Sequence, residues 1–360
     1  MLEENNFNNQ ENAEQQPFAQ PNPEPQPQVV YTQYIPYGFT PETYREKREI
    51  RKTATIVGIP LICLFLVGFV WSFVYFAFTI GIFKMSYDEV AVLSQNPAMQ
   101  QILQIIISCL MFLLPFSVAV KAAGMRIDRL VKFSLPKKGE FLPYLLFGIG
   151  FCAFANIAMV YAEIWFSGFG IDYEVDFGDN PKGIFGFLLS FIATAIVPAL
   201  VEEFACRGIV LGLLKKYGEG FAIVTSSVLF GIMHGNFEQI PFAVMVGLVL
   251  GYIYVKTESL WVCVAVHCVN NAVSVVFTYL EDLVGVNAQS VLYLIYLMAA
   301  MLLAVFGVCI LSKKGGDVYS LKPSETAAGE KQKYKWFFAS VFIVIFTVLN
   351  LIEACMYFVI

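Results

Sequence analysis

The sequence predicts an all-α protein, a polytopic transmembrane helix bundle of about eight to nine spans, and three observations carry that expectation. Of 360 residues, 58% are apolar and only 14% charged, with 34 Phe; a soluble chain of this size does not need so much apolar surface. The apolar residues gather into runs long enough to cross a hydrocarbon core of ~30 Å. The loops between those runs alternate in charge, as expected when Lys and Arg accumulate on the cytoplasmic side. The formal net charge of -5 comes largely from a polar, acidic N-terminal stretch and an acidic loop, and says nothing about nucleic acid. No phosphate loop, haem motif or nucleic-acid module occurs.

Residues 1–52 read as a disordered cytoplasmic tail, because Asn, Gln and Pro dominate Met1 to Gln33 and no hydrophobic stretch suggests a signal peptide. Its end is basic (Arg45, Lys47, Arg48, Arg51, Lys52), which places the N-terminus in the cytoplasm. Residues 53–183 hold the first three spans, about 53–83, 100–122 and 141–167. Residues 184–280 hold spans at about 184–214, 220–235, 240–256 and 259–279, and 281–360 hold the last two, about 290–312 and 336–360. Loops 84–99 (Asp88, Glu89) and 168–183 (Asp172, Glu174, Asp176, Asp179) are acidic. The loop 121–138 carries six cations, and Lys215, Lys216, Lys256, Lys313, Lys314, Lys331, Lys333 and Lys335 continue the alternation, leaving Ile360 outside. Trp165, Trp261 and Trp336 fall near span ends, as interfacial anchors do. The fifth span is short and bounded by Gly218, Gly220 and Gly235, so it need not cross fully. All eight cysteines sit in apolar runs and read as small buried residues, with no disulfide.

Charges inside such runs are expensive and need a reason. Glu202, Glu203 and Arg207 lie within the fourth span. On a helix Glu203 and Arg207 share a face and can pair, whereas Glu202 is rotated by roughly 100° and free to meet another helix. A buried ion pair that only fixes packing accounts for Glu203 and Arg207 but not for Glu202. The two histidines of the chain are also in apolar surroundings: His234 one turn after Phe230, and His267 one turn before Asn271. Either alone reads as a hydrogen-bonded packing residue. Counted from the cytoplasmic ends, Glu202, His234 and His267 lie roughly 20, 22 and 14 Å deep at ~1.5 Å per residue. Spans four, five and seven can therefore converge on one polar pocket at mid-membrane level.

Glu202-Glu203-x-x-x-Arg207, Phe230-x-x-x-His234 and His267-x-x-x-Asn271, in this order and on separate helices, resemble the three signature motifs of the CAAX-protease and bacteriocin-processing (Abi) family of intramembrane endopeptidases. The resemblance covers about residues 185–280. It implies that Glu202 and His234 activate water and that His267 and Asn271 hold the oxyanion, with Glu203, Arg207 and Phe230 supporting them. The implied substrate is a membrane-associated or lipidated peptide or protein in the bilayer, processed at a CAAX-type C-terminus in eukaryotes or in bacteriocin maturation and self-immunity in bacteria. In a bacterium the location is the plasma membrane.

The residue chemistry fits these roles independently. Hydrolysis needs a base near neutral pH, which a glutamate beside an imidazole can provide, and preorganised donors for the tetrahedral oxyanion. A zinc site built from Glu202, His234 and His267 is the competing assignment, although no HExxH spacing occurs; no cofactor is the favoured expectation. A thiol mechanism through Cys206 or Cys268 is poorer, because a cysteine in a bundle is ordinarily small and apolar. Glu163, Asn350 and Glu353 read as interfacial or bundle hydrogen-bonding groups, and Gly247 and Gly251 form a face for close helix contact. A proton-coupled transporter could use the same Glu/His pocket as a relay, though a relay has no use for the amide of Asn271. A catalytically silent scaffold would make Glu202 dispensable.

Overall fold

A computed structural model describes residues 35–169, 178–313 and 320–356. Among these residues the regular structure is entirely helical, as the composition predicts. The principal helices are α1 (Pro41–Gly81), α2 (Pro97–Ala122), α3 (Phe141–Ser167), α4 (Gly183–Tyr217), α5 (Glu219–Ile232), α6 (Gln239–Thr257), α7 (Leu260–Val284), α8 (Val286–Lys313), α9 (Glu330–Phe338) and α10 (Val341–Cys355). Seven of them are long and apolar enough to cross a membrane; α9 and α10, bent by 71°, make an eighth if counted as one span. The exception is α5, at 14 residues about 21 Å long by helix rise and too short to traverse the core alone. Among the described residues the count is therefore seven spans, or eight with the bent pair, and one inserted short helix, not nine full crossings.

Local chemistry sets the boundaries. Thr40 accepts from the Thr43 N–H in a capping box and Pro41 occupies the first turn, so α1 starts twelve residues before the apolar run. The tail reading is corrected on this point: residues 41–52 are helical, and residues 1–34 lie outside the described residues. Asn96 caps α2 through its Oδ1, accepting from the N–H groups of Ala98 and Met99. Asp172, Glu174, Asp176, Lys314 and Ile360 also lie outside the described residues.

The bundle places α5 and α6 at its centre as an antiparallel hairpin. Gly247 lies against Ser227 so closely that an added Cβ would meet the Ser227 Cβ at 2.9 Å, and one at Gly251 would meet Ile223 at 3.2 Å. The small-residue face thus joins two helices of the same chain, as expected. The outer helices turn large apolar side chains outward, among them Leu294, Leu302, Val305 and Phe306 of α8, an exposure that suits lipid. All eight cysteines are free; Cys152, Cys206 and Cys263 are buried, but Cys309 and Cys355 are exposed, which corrects the expectation that all are buried. Trp261 donates to the Phe133 carbonyl at 2.8 Å, whereas Trp336 is buried and packs against Phe39 with ring centroids 6.1 Å apart.

Candidate active site

The charged trio sits on the most irregular helix of the bundle. In α4, two π-helical segments, Phe191–Ile196 and Phe204–Leu211, flank the α-helical Val197–Glu203. Such i→i+5 segments are rare and occur inside α-helices frequently at functional sites. Pro198 adds to the irregularity, because it lacks the N–H that would return to the carbonyl four residues back, that of Thr194. That carbonyl instead accepts from Asn271 Nδ2 of α7 at 3.0 Å. One proline on α4 thereby fixes the position of an amide on α7.

Glu203 and Arg207 pair as expected, Nη1 to Oε1 at 2.8 Å, with both side chains buried. The same carboxylate oxygen lies 2.9 Å from His267 Nδ1. A carboxylate only accepts, so Nδ1 carries the proton, and Nε2 is left as the ring nitrogen available to the cavity that His267 lines. Spacing alone did not show this contact, because it joins residues 64 positions apart. The guanidinium of Arg207 also lies over the Phe230 ring, 4.3 Å from its centroid, and Nη2 donates to the Gly247 carbonyl at 3.4 Å. A desolvated cation over an aromatic face is stabilised by the ring quadrupole. Phe230 thus serves both motifs, its ring standing edge-on to His234 at 5.1 Å and to His267 at 5.9 Å.

His234 lies just beyond the end of α5, in the turn of the hairpin. Its Nδ1 is 2.7 Å from the Phe230 carbonyl, which can only accept, so again Nε2 is the nitrogen free for chemistry. Asn236 holds the turn: its Nδ2 donates to the His234 carbonyl at 3.0 Å while its Oδ1 accepts from the Gln239 N–H at 2.8 Å. Gly235 adopts φ +64°, which favours glycine, and a Cβ there would meet the Glu353 carboxylate at 2.7 Å, so the end of that side chain lies against the turn. Asn350 matches its expectation, donating to the Phe346 carbonyl at 2.8 Å.

These side chains meet at one cavity of about 480 Å³, whose wall includes Glu202, His234, His267 and Asn271 together with Thr194, Pro198, Phe230, Asn270 and Ser274. Glu202 makes no hydrogen bond or ion pair with the described residues. The remaining wall comes from helices outside the three motifs: Gln104 of α2, Asn156, Met159 and Glu163 of α3, Phe242, Ala243 and Val246 of α6, and Tyr293 and Tyr296 of α8, with Glu238 and Gln239 at the hairpin turn. Glu163 is thus on the cavity wall as well as near the end of its helix. Asn270, whose Nδ2 donates to Asn271 Oδ1 at 3.1 Å, is a further residue that helical spacing did not single out. Among the described residues no three His, Cys, Asp or Glu side chains are placed to hold a metal ion, and the Nδ1 of His267 is already committed to Glu203.

A bundle of apolar helices with carboxylate, imidazole and amide groups around one shared cavity defines a polytopic membrane protein with a polar site in its interior. Residues 184–273 match the family model described as type II CAAX prenyl endopeptidase Rce1-like, so the resemblance seen in the three motifs is borne out over this quarter of the chain. The chain is 30% identical over 113 residues to YdiL of Bacillus subtilis (strain 168), a protein named as a membrane peptidase, covering 30% of this chain and 45% of that one. It is 31% identical over 94 residues to the membrane-embedded CAAX protease MroQ of Staphylococcus aureus (strain USA300), covering 24% and 38%. The matches thus span less than half the length of either relative. No solved structure matches the chain.

Proposed function

We propose that the protein is an intramembrane endopeptidase of the CAAX-protease type, hydrolysing a peptide bond of a membrane-associated or lipidated substrate. The observation that carries this reading is the shared cavity of Glu202, His234, His267 and Asn271. Glu202, unpaired, and Nε2 of His234 take the proton of an attacking water, so that hydroxide adds to the carbonyl carbon and the proton later passes to the leaving amine. Asn271 keeps one amide hydrogen beyond the one given to Thr194, and His267, oriented by Glu203, donates from Nε2 when that nitrogen is protonated; both face the developing oxyanion. Glu203 and Arg207 act as positioning residues, since neither is among those on the cavity wall.

The test is cleavage of a membrane-peptide library by purified protein in detergent, with variants at His234, His267 and Asn271 and with chelator. Removing an oxyanion donor costs roughly 10²-fold or more in kcat, so Asn271→Ala is expected to fall by that much, His234→Ala to lose activity, and chelator to change nothing. Complete loss with chelator, restored by zinc, would replace the glutamate mechanism with a metal-assisted one. Proton flux in liposomes without any cleavage would favour the relay reading instead.

A further inference from the structure

The amide of Asn271 is held from both ends. Its Nδ2 donates to the Thr194 carbonyl of α4 at 3.0 Å; a carbonyl only accepts, so this contact decides which way round the amide stands and turns Oδ1 the other way. There Oδ1 accepts from Asn270 Nδ2 at 3.1 Å. A primary amide is planar, so hydrogen bonds at both ends fix its plane, and with it the direction of the second N–H. That N–H is the one left for the cavity, which Thr194, Pro198, Asn270 and Asn271 all line. The bond to Thr194 alone would leave the plane free to turn about the N···O line.

The packing of α4 on α7 does not depend on these amides. About two turns further along α7, the Tyr279 hydroxyl lies 2.9 Å from Ser190 Oγ and its ring stands edge-on to Phe187 with centroids 5.4 Å apart. One turn in the other direction, His267 Nδ1 meets Glu203 at 2.9 Å. Both contacts join the same two helices, so removing the Asn270 amide loosens a side chain and leaves the helix pair in place.

We infer that Asn270 is a positioning residue of the oxyanion site: it donates to Asn271 so that the remaining Asn271 N–H is aimed at the developing oxyanion. Pro198 completes the arrangement by leaving the Thr194 carbonyl free to accept. A donor of this kind works because it is oriented before the charge develops, and a misplacement of ~1 Å can cost ~10²-fold in rate. What Asn271 does for the substrate rests on the endopeptidase reading, but its restraint by Asn270 is independent of it.

Two measurements on the full chain in detergent keep these apart, with variants matched to wild type for melting temperature. The first is the NMR order parameter of the Asn271 side-chain N–H bonds in protein isotope-labelled at asparagine, the signals being identified by their loss in Asn271→Ala. The order parameter is expected to be high in wild type and to fall to that of a flexible group in Asn270→Ala; equal values overturn the inference whatever the enzyme does. The second is kcat and KM for one cleaved membrane peptide in Asn270→Ala, Asn271→Ala and the double variant, read as a cycle. Asn270→Ala is expected to lower kcat by up to ~10²-fold with KM little changed, and to add no further loss once Asn271 is alanine. Asn270→Asp, nearly the same size but unable to donate when ionised, is expected to fare no better than Asn270→Ala. Losses that add fully in the double variant would give Asn270 a contact of its own and refute the positioning, as would an unchanged kcat in Asn270→Ala. The expected change in order parameter without any cleavage by wild type refutes the endopeptidase reading alone.

Discussion

At the scale of single residues, one carboxylate organises the site and another is left free. Glu203 is shared by Arg207 and His267 through the same oxygen, and Oε2 is buried with no hydrogen-bond partner. Removing Arg207 leaves a buried charge, which costs about 3–5 kcal/mol when a pair is broken from one side. Arg207→Ala is therefore expected to lower thermal stability in detergent sharply, and Glu202→Gln to leave it near wild type; equal melting temperatures for the two would contradict the pairing. A second expectation separates positioning from packing. Glu203→Gln removes the acceptor charge facing His267 and is expected to reduce kcat more than it raises KM, and to change the pH profile of kcat. A fall in stability alone, with kinetics unchanged in the folded fraction, would assign Glu203 to structure. The Glu203–Arg207 pair was legible because helical periodicity places the two together, but the tie to His267 was not, since spacing within a helix carries no information on which distant helix packs against it.

At the scale of elements, the hairpin of α5 and α6 delivers His234 to the cavity through a close backbone approach. A Cβ added at Gly231 would meet Val244 Cγ2 at 2.3 Å and the Ile240 carbonyl at 2.8 Å, so Gly231→Ala must push the two helices apart just before the turn. Overpacking of this kind costs about 1–3 kcal/mol, and both the melting temperature and the cleavage rate are expected to fall; an unaffected variant would mean that the hairpin is not closely packed there. The position of α5 in the chain was readable from its glycine boundaries, as was its shortness. The π-helical segments of α4 were not, because nothing in the apolar pattern around Pro198 distinguishes a widened turn from a regular one. Their consequence, the Thr194 carbonyl turned to Asn271, could have been sought from the proline, which removes a donor from the carbonyl four residues earlier. The helical start at Pro41 was likewise signalled by the Thr40–Pro41 pair, but the polar composition of the tail masked it.

At the scale of the whole molecule, an apolar bundle surrounds a polar interior that only a few side chains create. Apolar run lengths and loop charges identified the class of fold and most of the helices, because the bilayer restricts spanning structure to a narrow range. The three motifs identified five residues of the cavity wall but not the wall supplied by Gln104, Asn156, Glu163, Tyr293 and Tyr296, since these come from helices whose polar residues, taken singly, read as ordinary bundle hydrogen bonding. The central claim is that Glu202 is the base that activates water in this cavity, and the most direct measurement is single-turnover cleavage of one membrane peptide by Glu202→Gln beside wild type, both purified in detergent and matched for melting temperature. The account predicts that the folded variant binds the peptide and leaves it uncleaved, whereas cleavage at the wild-type rate by Glu202→Gln would contradict it.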